Sequence, residues 1–295
     1  MTVEGYVKRN TSSLEGKTIA ITGATGGIGV RLCRRLASLG ASLILLDRSK
    51  EKSEALAESL KSSYGISARH VTVDHESMES VKAATDELIA AEPDVFICNA
   101  GAYSIPRRIT DSGYDNVFQI NFISPYFMIR KLLPVLEKKG GRVVAVGSIA
   151  HNYSKTDPDD IDFRTRKRSS DVYGNSKRYL MYALLSLFKE HKGVSLAVCH
   201  PGITFTNITA HYPKLIFAVI KHPMKVIFMS NDKASLSILR GVFDRTEDFS
   251  WYGPKFFDVW GLPSKKPLKT AKPEEIDRIF KTAEDIYGKL SEINP

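Results

Sequence analysis

The chain alternates short apolar runs with longer stretches in which apolar residues recur every three or four positions. Residues 18–22, 42–46, 68–73, 95–98, 142–146 and 194–199 form the short runs, rich in Ile, Val, Leu and Ala, and they read as strands. Residues 28–39, 51–62, 78–91, 114–137 and 172–191 carry the helical period, and another helix starts near Asn231. Pro125 and Pro134 predict bends in the fourth of these helices. Most of the strand runs leave no polar face for solvent. They therefore predict an α/β fold, a doubly wound parallel sheet covered by helices on both faces. No linker interrupts this rhythm before residue 200, so the 295 residues read as one domain, with a polar tail over 1–14.

Two segments break the pattern. Residues 152–170 have an acidic half (Asp157, Asp159, Asp160, Asp162) and a basic half (Arg164, Arg166, Lys167, Arg168), which reads as a solvated surface excursion. Residues 203–230 are apolar and aromatic, with Phe205, Tyr212, Phe217 and Phe228 among them, and are punctuated by Pro213 and Pro223. Plain core packing is the bland reading of that segment. The sharper reading is a hinged lid over a lipophilic ligand, or a basic apolar face for an anionic membrane surface through Lys214, Lys221 and Lys225. A terminal amphipathic helix is predicted over 272–295, with Pro273 at its start.

The net charge of +9 suits an anionic ligand or an acidic surface. No basic run interleaved with aromatics lines an evident groove, so a nucleic-acid partner is not expected. Cys33, Cys98 and Cys199 match no metal spacing and sit in apolar surroundings, which reads as buried free thiols in a reducing compartment. The first residues lack an apolar signal core. The longest apolar-rich stretch, 215–229, is broken by Lys221, His222, Pro223 and Lys225. A cytoplasmic protein without a spanning helix is expected, with peripheral membrane contact through 203–230 as an option.

Chemistry enters at the turn after the first strand, Thr22-Gly23-Ala24-Thr25-Gly26-Gly27-Ile28-Gly29. Glycines between a strand and a helix let backbone N–H groups approach a pyrophosphate, and the helix N-terminus adds positive potential. The spacing departs from G-x-G-x-x-G, but its strand-then-helix setting favours a dinucleotide and a Rossmann-type sheet. Asp47, ending the second strand, stands where a carboxylate accepts both adenine-ribose hydroxyls and repels a 2′-phosphate. It favours NAD, whereas Arg48 leaves NADP possible or packs over the adenine. Asp74 either accepts from the adenine amino group or serves the next helix start. Asn99-Ala100-Gly101, after the fourth strand, supports the turn and lines the same cleft.

Tyr173-Gly174-Asn175-Ser176-Lys177, with Ser148 upstream, supplies acid–base chemistry. Oxidising an alcohol needs a base to take the hydroxyl proton while hydride leaves carbon. A tyrosine serves if its pKa falls from about 10 towards neutrality, a differential interaction of about 4 kcal/mol. Lys177, one helical turn after Tyr173, shares its face and favours the phenolate; it can also hold the nicotinamide ribose. Ser148, at the end of the fifth strand, would hydrogen-bond the substrate oxygen. Asn121 either carries a proton relay or kinks its helix. Gly202 and Thr206 would approach the nicotinamide amide, with Pro201 and Ile203 beside them. His151, His200 and His211 show no metal spacing and read as polar or packing residues.

In this order the motifs resemble the short-chain dehydrogenase/reductase family over roughly residues 15–260. The resemblance rests on the glycine turn, Asn99-Ala100-Gly101, Asn121, Ser148, Tyr173, Lys177 and His200-Pro201-Gly202. Ser148-Ile149-Ala150-His151, the Thr206 position and the Trp251-Tyr252-Gly253-Pro254 and Trp260-Gly261 tail look most like the retinol-dehydrogenase-like branch. That branch often takes NADP, and Asp47 departs from it. The family implies a sheet of about seven strands, a catalytic set of Asn121 (as proton relay), Ser148, Tyr173 and Lys177, and a homodimer paired through the helices at 114–137 and 172–191. The expected activity is NAD(P)-dependent hydride transfer on a lipophilic alcohol or carbonyl, steroid- or retinoid-like. A non-catalytic dinucleotide-binding regulator would not need all four catalytic residues, and a nucleotide-sugar epimerase or dehydratase fits the apolar 203–230 segment poorly.

Overall fold

The strands lie where apolar residues are continuous. A computed structural model describes residues 2–204, 229–246, 250–268 and 271–292. The strands are β1 (Thr18–Thr22), β2 (Ser42–Asp47), β3 (Ala68–Thr72), β4 (Val95–Cys98), β5 (Arg142–Val146), β6 (Ser195–Cys199), β7 (Ser250–Phe256) and β8 (Trp260–Pro267). They form one sheet in the order β3-β2-β1-β4-β5-β6-β7-β8. The pairs from β3 through β7 are parallel, and β8 returns antiparallel to β7. The eighth strand has no sequence signature. Proline at positions 263 and 267 and no sustained apolar alternation hide it, and an outer edge position tolerates both.

The helices are α1 (Val3–Asn10), α2 (Gly27–Ser38), α3 (Lys50–Tyr64), α4 (Met78–Ala91), the short turn α5 (Asn116–Phe118), α6 (Ser124–Lys139), α7 (Ser169–Glu190), α8 (Asn231–Phe243) and α9 (Pro273–Glu292). One apolar cluster joins α4, α6, α7 and α9 to one sheet face; another joins α2, α3 and α8 to the opposite face. The polar start of the chain is partly helical. Thr2 caps α1 by accepting from the Gly5 N–H at 3.1 Å, Tyr6 is buried, and Arg240 of α8 donates to Asn10 Oδ1 at 2.7 Å.

The expected long helix at 114–137 is broken by a π turn, Gln119–Ile123, between α5 and α6. Ser124 N–H bonds to the Gln119 carbonyl, five residues back. Pro125 follows and has no N–H to offer the Asn121 carbonyl, so the regular ladder cannot form there. Pro134 lies inside α6 without ending it.

The 152–170 excursion is largely the expected solvated charge run, with Asp159, Arg164, Arg166, Lys167 and Arg168 exposed, but one carboxylate turns inward. Asp162 is buried and accepts from the Asp115 N–H at 2.8 Å, while Arg164 grips Asp162 and Arg107 grips Asp115 at 2.8 and 2.7 Å. Phe163, Val117 and Val172 make a small apolar cluster beneath these pairs. The charges pair within each segment, and the two segments are joined by hydrogen bonds to backbone groups, Asp115 N–H to Asp162 and Arg107 to the Phe163 carbonyl at 2.9 Å, which a one-dimensional reading cannot see.

Sheet order fixes where a ligand can sit. From β1 the chain winds outward through β2 and β3, then returns to the other side of β1 as β4. The crevice beyond the C-terminal ends of β1 and β4 is the switch point of the sheet.

Candidate active site

The two strands flanking the crevice are tied together by Asn99. Its Nδ2 donates to the carbonyls of Thr22 and Gly23, both at 3.0 Å, and its N–H donates to Thr22 Oγ1 at 3.1 Å. The glycine turn is then built on close backbone approach. Gly23 has φ +66°, and a Cβ on Gly29 would overlap the Gly23 carbonyl and lie 2.7 Å from that of Ala24. Gly26 begins α2 without any side-chain cap, so the N–H groups of the first turn face the crevice undisputed by a side chain.

A cleft of about 620 Å³ opens over this turn. It is lined by Gly23, Thr25, Gly26, Gly27, Ile28 and Gly29, by Asp47 and Arg48, by Asp74, and by Asn99, Ala100 and Gly101. All the sequence-predicted residues for the adenosine and pyrophosphate half thus share one cavity, and the cradle that only glycine permits fits a pyrophosphate. Asp47 is buried, and Thr25 donates to it twice, from N–H at 3.2 Å and from Oγ1 at 2.9 Å. Burial pushes its carboxyl up, and the Thr25 hydrogen bonds pull it back. Asp74 stands at the cleft, while the cap of α4 itself is Ser77. The Asp74 Oδ1 accepts from the Glu76 N–H at 3.0 Å ahead of α4.

Lys52, His75 and Arg108 also line the cleft and were not singled out from the sequence. Lys52 has a readable signal, being a basic residue at the start of the helix after Asp47-Arg48. Arg108 pairs with Glu76 at 2.5 Å. His75 is buried, with neither ring nitrogen hydrogen-bonded among the described residues, and burial lowers its pKa to about 4.

Beyond Gly101 lies the candidate acid–base group. A Cβ on Gly101 would stand 3.0 Å from Asn121 Oδ1 and 3.5 Å from Lys177 Nζ, so this glycine joins the cleft to the catalytic side. Tyr173 and Lys177 share a face of α7, with Nζ 6.0 Å from the tyrosine ring centroid. Ser148 stands beside the Tyr173 hydroxyl, and Tyr103 packs edge-on to its ring at 5.2 Å. Burial pushes the Tyr173 hydroxyl up, the Ser148 hydroxyl pulls it down, and Tyr103 pushes it up again; the balance is a neutral phenol. Lys177 is buried, donates to the Val146 carbonyl at 2.9 Å, and is lowered by burial to about 8. The expected fall of the tyrosine pKa is therefore not expressed by these side chains alone.

Asn121 sits in the π turn. Its Nδ2 donates to the Ala102 carbonyl at 2.8 Å and to Ser176 Oγ at 3.1 Å, and its Oδ1 accepts from the Ala102 N–H at 2.9 Å. Its side chain thus pins the Gly101–Ala102 loop to α7. On the far side, Gly202 has φ +83° and no room for a Cβ between Met229 and Pro254. Pro201 precedes it, and the Ile203 carbonyl accepts from the Met229 N–H at 2.9 Å. Thr206, His211 and most of the 203–230 segment fall outside the described residues. No cluster of metal-ligating side chains occurs among the described residues. His151 and His200 instead pack on Trp251, edge-on at 5.4 Å and stacked at 5.1 Å.

A short chain dehydrogenase profile matches residues 17–214, two thirds of the chain and the whole of this geometry up to the segment after β6. The chain belongs to the short-chain dehydrogenase/reductase family. Within the family it falls in the retinol-dehydrogenase-like branch. It is 28% identical to Retinol dehydrogenase 13 of Homo sapiens over 290 residues, covering 94% of this chain and 86% of that protein. It is 30% identical to Retinol dehydrogenase 14 of Mus musculus over 214 residues, 67% of this chain and 64% of that one. A short-chain dehydrogenase from Sphingobium yanoikuyae, solved in complex with NADPH, has the same fold, with a TM-score of 0.63 at 23% identity over 95% of this chain and 96% of its own. As a family member the protein is an NAD(P)-dependent oxidoreductase acting on CH–OH donors.

Proposed function

We propose that this oxidoreductase interconverts a lipophilic alcohol and its carbonyl, with Tyr173 moving the proton at the substrate oxygen. The carrying observation is the placing of Tyr173 beside Ser148 at the end of β5, with the buried Lys177 one turn further along α7. Bound in the cleft, the dinucleotide would supply the hydride acceptor or donor. Ser148 Oγ and Tyr173 Oη would both bond the substrate oxygen. Tyr173 would take its proton in oxidation and return it in reduction. The ammonium of Lys177 would stabilise the phenolate and hold the ribose beside it. Asn121 would act by fixing the Gly101–Ala102 loop against α7, with its backbone carbonyl, deprived of a helical donor by Pro125, available to a water on the proton's path. Replacing Tyr173 by Phe and measuring turnover alongside cofactor binding tests this reading.

Three further features support a lipophilic substrate: the relatives named for retinol, the apolar composition of 203–230, and the aromatic wall of Tyr103 beside Tyr173. Asp47 at the adenosine end favours NAD, because a carboxylate there repels a 2′-phosphate. Arg48 and Lys52 line the same wall and would answer a phosphate, so the ratio of kcat/KM for the two cofactors decides the preference. The protein would pair as a homodimer through the faces of α6 and α7, read by light scattering.

Peripheral membrane contact would come from 203–230 together with the β7–β8 turn, where Phe256 and Phe257 are exposed next to Lys255. Among the described residues no helix is long and apolar enough to cross a membrane. Liposome co-sedimentation at low and high salt tests that contact.

A further inference from the structure

Ser148 must be held to within a few tenths of an ångström for its hydroxyl to meet both Tyr173 and a substrate. Its turn, Ile149–Asn152, is a single 3₁₀ turn that gives little rigidity of its own. The rigidity comes from a neighbouring stripe of α7. Gly174, Arg178 and Tyr182 recur at helical spacing beside the Tyr173–Lys177 stripe. Gly174 lets the turn lie directly on the helix, because a Cβ there would overlap Ser154 Oγ and stand 2.6 Å from the Ala150 carbonyl.

Arg178 then holds the turn from the side. Its Nη1 donates to the His151 carbonyl at 2.9 Å, and its Nε and Nη2 make a two-pronged pair with Glu275 of α9, both at 2.8 Å. The same Glu275 accepts from Thr156 Oγ1 at 2.9 Å. His151, fully buried, has Nδ1 2.6 Å from the Ser148 carbonyl, which makes Nδ1 the protonated nitrogen because a carbonyl can only accept. The contacts thus run unbroken from α9 to the active-site serine: Glu275, Arg178, His151, Ser148.

We infer that Arg178 is a positioning residue for the reaction, anchored by Glu275 and acting on Ser148 through His151, so that docking of the C-terminal helix sets the geometry of the acid–base group. This rests on the proposed roles of Tyr173 and Ser148. None of the braced atoms touches the cofactor cleft, so the effect should fall on turnover and not on cofactor binding. The ionisable groups around Tyr173 are Tyr103 and Lys177, which packs against its ring, with Ser148 beside its hydroxyl. Ser148 lowers the tyrosine pKa, so a loosened serine should move the tyrosine limb of the pH profile upward.

The test uses the full chain with retinol and each nicotinamide cofactor, comparing Arg178→Met, Arg178→Lys and Glu275→Gln with Tyr173→Phe. Arg178→Met should lower kcat roughly 10–100-fold, the scale of a small misplacement. The cofactor dissociation constant should be unchanged, and the oxidation limb of kcat/KM should shift to higher pH. Arg178→Lys and Glu275→Gln, each keeping part of the hydrogen bonding, should fall between Arg178→Met and the wild type. A substrate-independent reading comes from the His151 ring N–H proton by NMR, assigned by its loss in His151→Asn. Its exchange with water should be slow in the wild type and fast in Arg178→Met and Glu275→Gln.

If Arg178→Met does not fold, Glu275→Gln decides on the same measurements. Wild-type kcat, pH profile and His151 exchange in folded variants would overturn the inference. So would loss of cofactor binding in step with melting temperature, which marks a merely structural brace. A fully active Tyr173→Phe would instead overturn the functional reading, and the exchange measurement would still judge the brace.

Discussion

Each side chain at the site meets two demands, one on charge and one on position, and substitutions can separate them. Tyr173→Phe removes only the titrating oxygen. Turnover should fall by about 10²–10⁴-fold, with the cofactor dissociation constant within a few-fold of wild type, measured by steady-state kinetics and fluorescence titration. Asp47→Ala should reduce any preference for NAD over NADP, leaving Arg48 and Lys52 unopposed, and the two values of kcat/KM read this directly. The Thr25 hydrogen bonds to Asp47 add a second effect, because the glycine turn loses an anchor and affinity for both cofactors should weaken. At this scale the sequence was legible wherever chemistry fixes spacing: Gly23 to Gly29, Tyr173 with Lys177, and Asp47 at a strand end. It was silent on His75 and Arg178. A histidine in a polar stretch and an arginine after a lysine carry no local mark of burial, and their partners stand on elements far away in the chain.

Among the elements, α7 does most to arrange the site, because adjacent stripes of one helix carry the acid–base pair and the brace for Ser148. Gly174→Ala puts a methyl group into the Ala150 carbonyl. The 148–154 turn should be displaced, at a cost of about 1–3 kcal/mol in stability from overpacking. Thermal melting should register that loss, and kcat should fall while cofactor affinity is kept. Strands β1 to β6 and most helices were readable because burial on both faces demands continuous apolar runs. The π turn was not, since the apolar period of 114–137 continues smoothly through it and only the missing N–H of Pro125 marks the place. The β8 edge strand escaped for the opposite reason, as an outer strand need not alternate. The burial of Asp162 within 152–170 was not readable because its partner, the Asp115 N–H, belongs to another loop.

For the molecule as a whole, buried titratable groups set the response to acid. His75 and His200 are each lowered by burial from 6.5 to about 4, so the unfolded chain binds more protons between those values and stability falls as pH drops from 6.5 towards 4. Glu275 is lowered from 4.5 to about 2, chiefly by its hydrogen bonds from Arg178. Its contribution is complete above 4.5 and is lost as pH falls towards 2. Melting temperatures measured across both windows should fall in both. His75→Leu should flatten the upper window, and Glu275→Gln the lower.

The three cysteines extend this global view. Cys33 lies within α2, Cys98 at the end of β4 and Cys199 at the end of β6. All are buried, with their thiols pushed up by burial. A thiol reagent can reach them only after the protein opens locally, so each labelling rate is a clock for its own region. Cys199 is shielded by Gly241, where a Cβ would stand 2.6 Å from its sulfur, and it times the release of α8. Cys33 times the parting of α2 from the sheet. If the two run at one rate, the halves of the sheet unfold as a unit; if Cys199 runs ahead, the substrate half breathes while the dinucleotide half stays closed.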